Sequence, residues 1–514
     1  MPIVPFLGDA YDRGSKAISP QSTTNLFPEI LVNENDKTRS RYILRSTPGT
    51  DLYLDLSVAG TYGNCRGLYT ASNDRVFAAF GSEIYEIHPG ITPSYTLIGT
   101  ISITASGTIS FADNGYYLVC ADGANLYKFQ FSTDVFSSIT LPVSDIFLPT
   151  KVVYFAERFV VCGRGIENPA ESNKIYFSDS GPDGPLTWDA LSFYTKKNSA
   201  DPIVGIAAVS EELWVFGSRS YQVFTRTGVF DDPFTIAGGS YSDVGALAPD
   251  SICSFNGVVY WLGSSTVGTY ALFASNGYQA VRISETFIEE RLASASKKDG
   301  VSPSDCKTWA YFGDSHTFIS FHFISADFTI VYDPDIREWH YRLSRDPLLN
   351  ILHRWAAIYG TKVGDTILVG YSDGRQLLRL DSEVYTEWNK DYYPNEEARY
   401  RVPIIRERIS PVYWEGLKSI IIDEFRVDME TGVGLVSPGR GFDPVATFFV
   451  SRDGGRDFGF ARDVPIGKVG QYTTSVAIRG LGKGRFIVIK MRITDPVKVT
   501  LINASMVSRI MGAR

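Results

Sequence analysis

The sequence predicts an all-β protein: a β-propeller of about seven blades with a C-terminal β-sandwich. Three observations carry that expectation. Glycine (46) and the aromatics Phe (32) and Tyr (29) far outnumber Met (5), and tight turns favour the first while strands favour the others. The stretch Lys307–Arg342 reads as four short strands, Lys307–Phe312, Thr317–Phe323, Phe328–Tyr332 and Glu338–Arg342. Its turns, Gly313-Asp314-Ser315, Ser325-Ala326-Asp327 and Asp333-Pro334-Asp335, use residues that accept turn geometry. Finally, one hairpin pattern recurs with starts about 40 to 60 residues apart, the length a propeller blade requires.

Taken in order, residues 1–60 form an N-terminal arm with little alternation before Tyr42–Arg45, ending in one or two strands. Residues 61–385 form the propeller. Its hairpins are Val76–Ile87, Tyr116–Phe129, Arg158–Ser178, Leu213–Thr225, Val258–Ser275, Phe318–Pro334 and Thr366–Asp381. Irregular spacing leaves six or eight blades open. An open ring would leave unpaired strand edges, so a strand from the arm, Tyr42–Arg45 or Tyr53–Leu56, is expected to close it. Ser284–Lys298 interrupts the pattern with Phe287, Ile288, Arg291 and Leu292 at helical spacing and Ser284 as the expected N-cap. Residues 386–514 supply a linker, begun by the polar run Tyr385–Arg401, and the sandwich. The sandwich strands are Ser419–Met429, Ala446–Arg452, Gln471–Arg479, Arg485–Thr494 and Val497–Val507.

Charge is unevenly placed. The chain carries −8 overall, but residues 400–514 hold 18 Lys/Arg against 11 Asp/Glu, or +7, which leaves −15 for residues 1–399. An acidic bulk argues against tight sequence-independent DNA binding, and a basic end offers a face to an acidic partner or a solvated surface of mixed charge. Cys65, Cys120, Cys162, Cys253 and Cys306 are scattered and odd in number, which points to buried hydrophobes rather than disulfides or zinc ligands. Met1-Pro2-Ile3-Val4-Pro5 lacks the start of a signal peptide, and no apolar run reaches the roughly 20 residues of a membrane span. The expectation is folding in a reducing cytoplasm without membrane insertion.

No catalytic, cofactor or metal site is expected. Ser451, Asp453 and Gly455 lie in SRDGGRDF (Ser451–Phe458), which resembles the Asp-box of sialidase propellers. The functional reading is a glycosidase; the structural reading is a hairpin turn with a capping carboxylate and a positive-φ glycine. The Thr and Trp positions of that box are replaced, so the turn is preferred. Asp333, Pro334 and Trp339 are read likewise, as structural turn residues of the reference blade. His88, His316, His322, His340 and His353 show no ligand spacing. Arg479–Arg485 (RGLGKGR) looks like a phosphate loop without the required spacing, and a glycine-rich hairpin is the better reading.

Several motifs together resemble the tail hub, or nozzle, family of short-tailed bacteriophages, the packaged-DNA stabilisation proteins. They are Ser19–Glu29 (SPQSTTNLFPE), Leu44–Thr50 (LRSTPGT) and Leu213–Gly228 (LWVFGSRSYQVFTRTG). A blade pattern follows, at Gly313, His316, Phe318, Thr329, Tyr332, Asp333, Trp339 and Arg342. The C-terminal set is Phe425–Gly434, Ser451–Gly459, Ile466–Tyr472 and Ile493–Leu501. The resemblance implies a non-enzymatic virion protein, a homohexameric hub assembled in the host cytoplasm and docked on the head-to-tail adaptor below the portal. It would close the channel over packaged double-stranded DNA, without sequence-specific binding, carry the tail needle, fibres or tailspikes, and serve as the conduit for ejection. Two other readings are weighed against it: a glycan-binding or depolymerising, sialidase-like tail component, and a cytoplasmic propeller scaffold unrelated to phage.

Overall fold

The computed structural model describes residues 2–16, 18–31, 41–56, 63–102, 107–264, 270–346, 349–371, 374–388, 401–416, 418–459 and 461–511. Seven antiparallel sheets follow one another in sequence as blades. Blades 1 to 6 comprise residues 65–100, 110–139, 147–195, 203–242, 245–282 and 307–341, and blade 7 comprises residues 357–381. The fourth strand of blade 7 is Gly49–Asp55, paired antiparallel along Gln376–Asp381. This is the expected ring closure at Tyr53; Tyr42–Arg45 goes elsewhere. Gly49 is required by close approach: a Cβ there would sit 2.4 Å from the carbonyl oxygens of Val384 and Thr386.

The recurring hairpins of the sequence are the two middle strands of each blade. These strands are buried on both faces; His316–Phe323 has no exposed residue. The reason is where the core lies. Each apolar cluster sits between two neighbouring blades, for example Trp214, Phe216, Tyr221 and Trp261 between blades 4 and 5, so a middle strand faces a neighbour on either side. The inserted helix spans Thr286–Ala295 and buries Phe287, Ile288 and Leu292 against blades 5 and 6. Its N-cap is Glu285 rather than Ser284, because the Ser284 hydroxyl is taken by the backbone N–H of Leu272 (3.0 Å) and the Glu289 carboxylate (2.7 Å).

The sandwich draws on both chain ends. One sheet runs Leu26–Ile30, Tyr42–Ser46, Thr500–Met511, Ser419–Met429 and Val476–Gly484. The other runs Pro20–Thr24, Arg406–Ile409, Val488–Ile493, Val445–Ser451 and Arg462–Pro465. Phe6, Leu7, Leu26 and Leu44 of the arm enter the same core as Phe425, Phe448 and Ile489. The arm is therefore part of the sandwich, with more strands than expected. Pro20–Thr24 (PQSTT) carries no alternation, because its polar side chains are buried between strands on both sides. Pro20–Thr24 also lies parallel to Glu338–Tyr341, the outer strand of blade 6, through Thr24 and Tyr341. Blade 6 and the second sandwich sheet thus form one continuous hydrogen-bonded sheet. Most of the expected linker, residues 389–400, lies outside the described residues; its flanks Thr386–Trp388 and Arg401–Pro403 pair with each other.

Candidate functional site

Polar side chains from the innermost strands of blades 3, 6 and 7, and from the segments that enter blades 2 and 5, meet across the propeller axis. Thr108, entering blade 2, donates from Oγ1 to Asp250 Oδ2 (2.6 Å) on the approach to blade 5. Thr108 also shares a hydrogen bond with Tyr359 of blade 7 (2.9 Å), and Tyr359 accepts one from Lys307 of blade 6. Lys151 of blade 3 pairs with Asp250 at 3.3 Å. Burial opposes charge on Asp250, yet Lys151 and the Thr108 hydroxyl together hold its carboxyl below the ordinary value. Burial pushes Lys307 down and Tyr359 up. Bonds that run from blade 2 to blade 5 span the ring, so the axis of a single propeller is bridged and admits no duplex.

A second concentration of polar chemistry holds the arm between propeller and sandwich. Asn25 has a left-handed backbone (φ 55°) and is fully buried. Its Nδ2 donates to Leu343 O and Ile405 O, and its Oδ1 accepts from Leu343 N, each at 2.8 Å. One amide therefore fastens the arm to blade 6 and to the first C-terminal sandwich strand. Arg408, also buried, donates to Phe6 O, Asp9 O and Thr23 Oγ1. Arg406 donates to Asp495 O (2.9 Å) and Tyr385 O (3.4 Å). Burial lowers both guanidinium pKa values to about 10, so both stay charged at neutral pH and bind carbonyl dipoles in place of water. Beside them Asp9, Glu285 and Glu338 converge from arm, helix and blade. Burial, then mutual repulsion, raises Glu285 to about 7 and lifts Glu338; burial also lifts Asp9. Tyr42 Oη donates to Glu338 Oε1 at 2.6 Å.

The residues singled out in the sequence fall in two separate places. Asp333 is fully buried, pairs with His316 Nδ1 at 2.6 Å and accepts from Asp335 N at 3.0 Å. Asp335 accepts from Thr317 N at 2.7 Å. His316, Asp333 and Asp335 are the group among the described residues whose ligand atoms lie within 4.8 Å of one another, and these bonds employ them in joining two turns of blade 6. Trp339 packs on Tyr332, ring centroids 4.6 Å apart. His322, buried and pushed down to about 3, accepts from Trp309 Nε1 at 3.1 Å; His340 is likewise buried and neutral. His88 and His353 are exposed.

The second place is the turn at the end of the sandwich. Ser451 Oγ donates to Asp453 Oδ1 (2.6 Å) and accepts from Gly455 N (2.9 Å). Asp453 Oδ1 further accepts from Arg456 N (3.0 Å) and Asp457 N (3.1 Å). Gly455 has φ 91°, and a Cβ there would lie 2.7 Å from Pro20. Asp453→Ala and Gly455→Val are each expected to cost about 1–2 kcal/mol of stability, read as a lower melting temperature without loss of any hydrolysis. Unaltered stability with loss of a glycan-cleaving activity would return the glycosidase reading. The axial group carried no motif, and Asn25 lay within Ser19–Glu29 without being singled out; their partners are scattered along the chain, so only the fold assembles them.

Fold and geometry together define a two-domain structural scaffold, a propeller fused to a sandwich and braced by buried polar bonds. The profile described as bacteriophage P22 Gp10, beta-propeller, matches residues 10–385, and that described as bacteriophage P22 Gp10, beta-sandwich, matches residues 405–508. The chain belongs to this family, the tail hub or nozzle proteins of short-tailed phages, and is a structural component of the virion tail. No curated protein matches it. Among solved structures, virginiamycin B lyase from Staphylococcus aureus is 12% identical, with a TM-score of 0.41 over 64% of this chain and 99% of that one. The Neurospora crassa Pan2 WD40 domain is 8% identical, with a TM-score of 0.42 over 66% and 95%. No helix among the described residues is long and apolar enough to cross a membrane.

Proposed function

We propose that this chain is one subunit of a closed hexameric ring that docks on the head-to-tail adaptor below the portal. The ring closes the exit channel over packaged double-stranded DNA, carries the needle, fibres or tailspikes, and becomes the conduit at ejection. Assembly takes place in the host cytoplasm before the protein resides in the virion tail. The reading is carried by the bridged propeller axis. Since a duplex has no path through one propeller, a conduit in this family has to run between subunits, which calls for a closed ring of heterologous contacts. The units of assembly are a propeller of residues 49–55 and 65–381 and a sandwich built from both chain ends.

The test uses particles. A chain reduced to residues 47–388 keeps the ring closure and loses the sandwich with its arm. It is expected to melt cooperatively as a propeller and to stay out of virions. A reduced chain that melts normally and still enters DNA-retaining particles would overturn the assignment of assembly to the sandwich.

A further inference from the structure

Arg479–Arg485, expected as a glycine-rich hairpin, instead runs through the end of the strand Val476–Gly484, whose pairing with Ser419–Met429 carries a bulge at Ile422/Glu424, and it lies beside the Ser451–Phe458 turn. Arg452 Nη2 donates to Leu481 O at 3.1 Å, and Arg462 donates to the carbonyls of Arg479 and Gly480. Gly454 N donates to Phe486 O at 3.0 Å, which brings Arg485 alongside the turn. A cleft of about 290 Å³ opens between Arg452, Arg462, Asp453, Asp457 and Leu481. Arg452 and Arg462 line it, and Arg456, Arg479, Lys483 and Arg485, exposed as well, lie on the adjoining turn and strand end. Among the described residues only Arg479 of these six has an ion-pair partner, Glu424 at 2.9 Å.

The opposing charges are few. Asp453 spends its Oδ1 on its own turn, Asp463 accepts from Thr447 at 2.6 Å, Glu424 is divided between Arg426 and Arg479, and Asp457 faces the cleft. Five unpaired cations in one end of a domain repel one another, a cost that an anionic partner removes. Two of the guanidiniums are already oriented by carbonyls of the strand Val476–Gly484, so less side-chain freedom is lost on binding. The patch is poor in exposed apolar side chains, with Phe486 at 39% exposure beside it. Protein interfaces place aromatic and apolar groups at their centre, whereas nucleic-acid interfaces are polar and strongly positive.

We propose that this end of the sandwich is a sequence-independent contact for the phosphodiester backbone of duplex nucleic acid. It is a local exception to the acidic bulk of the chain, and it deepens the tail reading, on which it rests for its setting. Five cations released from one another onto phosphates give a slope of log affinity against log salt of about −4 to −5.

The measurement is fluorescence anisotropy of a short labelled duplex titrated with the full chain at several salt concentrations. The combined variant Arg456→Glu, Lys483→Glu, Arg485→Glu alters exposed side chains and is expected to weaken binding by about tenfold or more at low salt and to flatten the slope by about 3. Arg219→Glu, exposed on blade 4, leaves binding unchanged, and Arg452→Lys with Arg462→Lys keeps the slope. No binding at low salt, equal binding by the triple variant, or a preference for polyglutamate over duplex overturns the proposal. Particles separate the two readings. Wild-type chain that assembles and retains DNA but binds no duplex in solution removes only this contact, while failure of the wild-type chain to enter particles removes the tail reading.

Discussion

Asn25→Leu should convert a single cooperative melt into two separated transitions, one for the propeller and one for a weakened sandwich. The substitution leaves Leu343 N, Leu343 O and Ile405 O without their buried partner. An orphaned buried group costs about 1–3 kcal/mol, and a branched side chain at φ 55° adds about 1 kcal/mol of backbone strain. The sum for three such groups and the strain, about 4–10 kcal/mol, is large against the stability of a typical domain. Asn25→Gly separates the causes, since it accepts the left-handed backbone but supplies no amide; it should retain most of the loss. Calorimetry of the three proteins decides it. A single transition at the wild-type temperature in the Leu variant would show that the arm is held by its apolar residues, Phe6, Leu7, Leu26 and Leu44, and not by the amide.

Stability is expected to fall as pH rises from about 4.5 to about 7. Glu387 is buried, accepts from Ser344 Oγ at 3.1 Å, and is raised by burial from 4.5 to about 7. Glu285 is raised to a similar value, and Glu338 and Asp9 move the same way. Between the unfolded and folded values the native state holds protons that the unfolded chain has released. Their contribution is therefore complete below about 4.5 and is lost as pH passes about 7. For Glu387 the effect is about 3 kcal/mol; the half-exposed groups add less, because solvent screens them. Asp201 acts in the opposite sense. Despite its burial, the Lys196 ammonium and the backbone N–H of Arg219 hold it at about 2, and its contribution is lost only as pH falls through that value. Glu387→Gln should melt higher than wild type at pH 8 and equal it near pH 4. Equal pH profiles for the two proteins would place the charge of Glu387 outside the balance.

What the sequence made legible was whatever repeats or alternates against a neighbour. Leu213–Thr225 and Val258–Ser275 announce themselves because middle strands are apolar on both faces and end in tight turns. The outer strands do not: Ser94–Thr100 and Val135–Ile139 are largely solvent-facing. The arm was harder still, since Ser22, Thr23, Thr24 and Asn25 are buried polar residues, and the partners Leu343, Ile405 and Arg408 that hold them to the rest of the chain lie more than 300 positions away. Arg406 and Arg408 read as surface charge and prove to be fully buried. The axial group escaped for a related reason: Thr108, Lys151, Asp250, Lys307 and Tyr359 are single, ordinary residues until the ring closes. The Ser451–Phe458 turn was visible as a local motif because its hydrogen bonds join residues two to four apart.

The sheet shared by blade 6 and the sandwich is also a lever. Its path passes through nine strands, from Lys307–Gly313 at the axis to Arg462–Pro465. Eight inter-strand steps of about 4.8 Å make it about 38 Å long. A tilt of one degree at the hub then moves the far edge by about 0.7 Å, through a lattice whose links are backbone hydrogen bonds and not a pliable tether. In the ring proposed above, a push on the propeller from a neighbouring subunit would thereby be delivered, magnified, to the tip that carries Arg452 and Arg462.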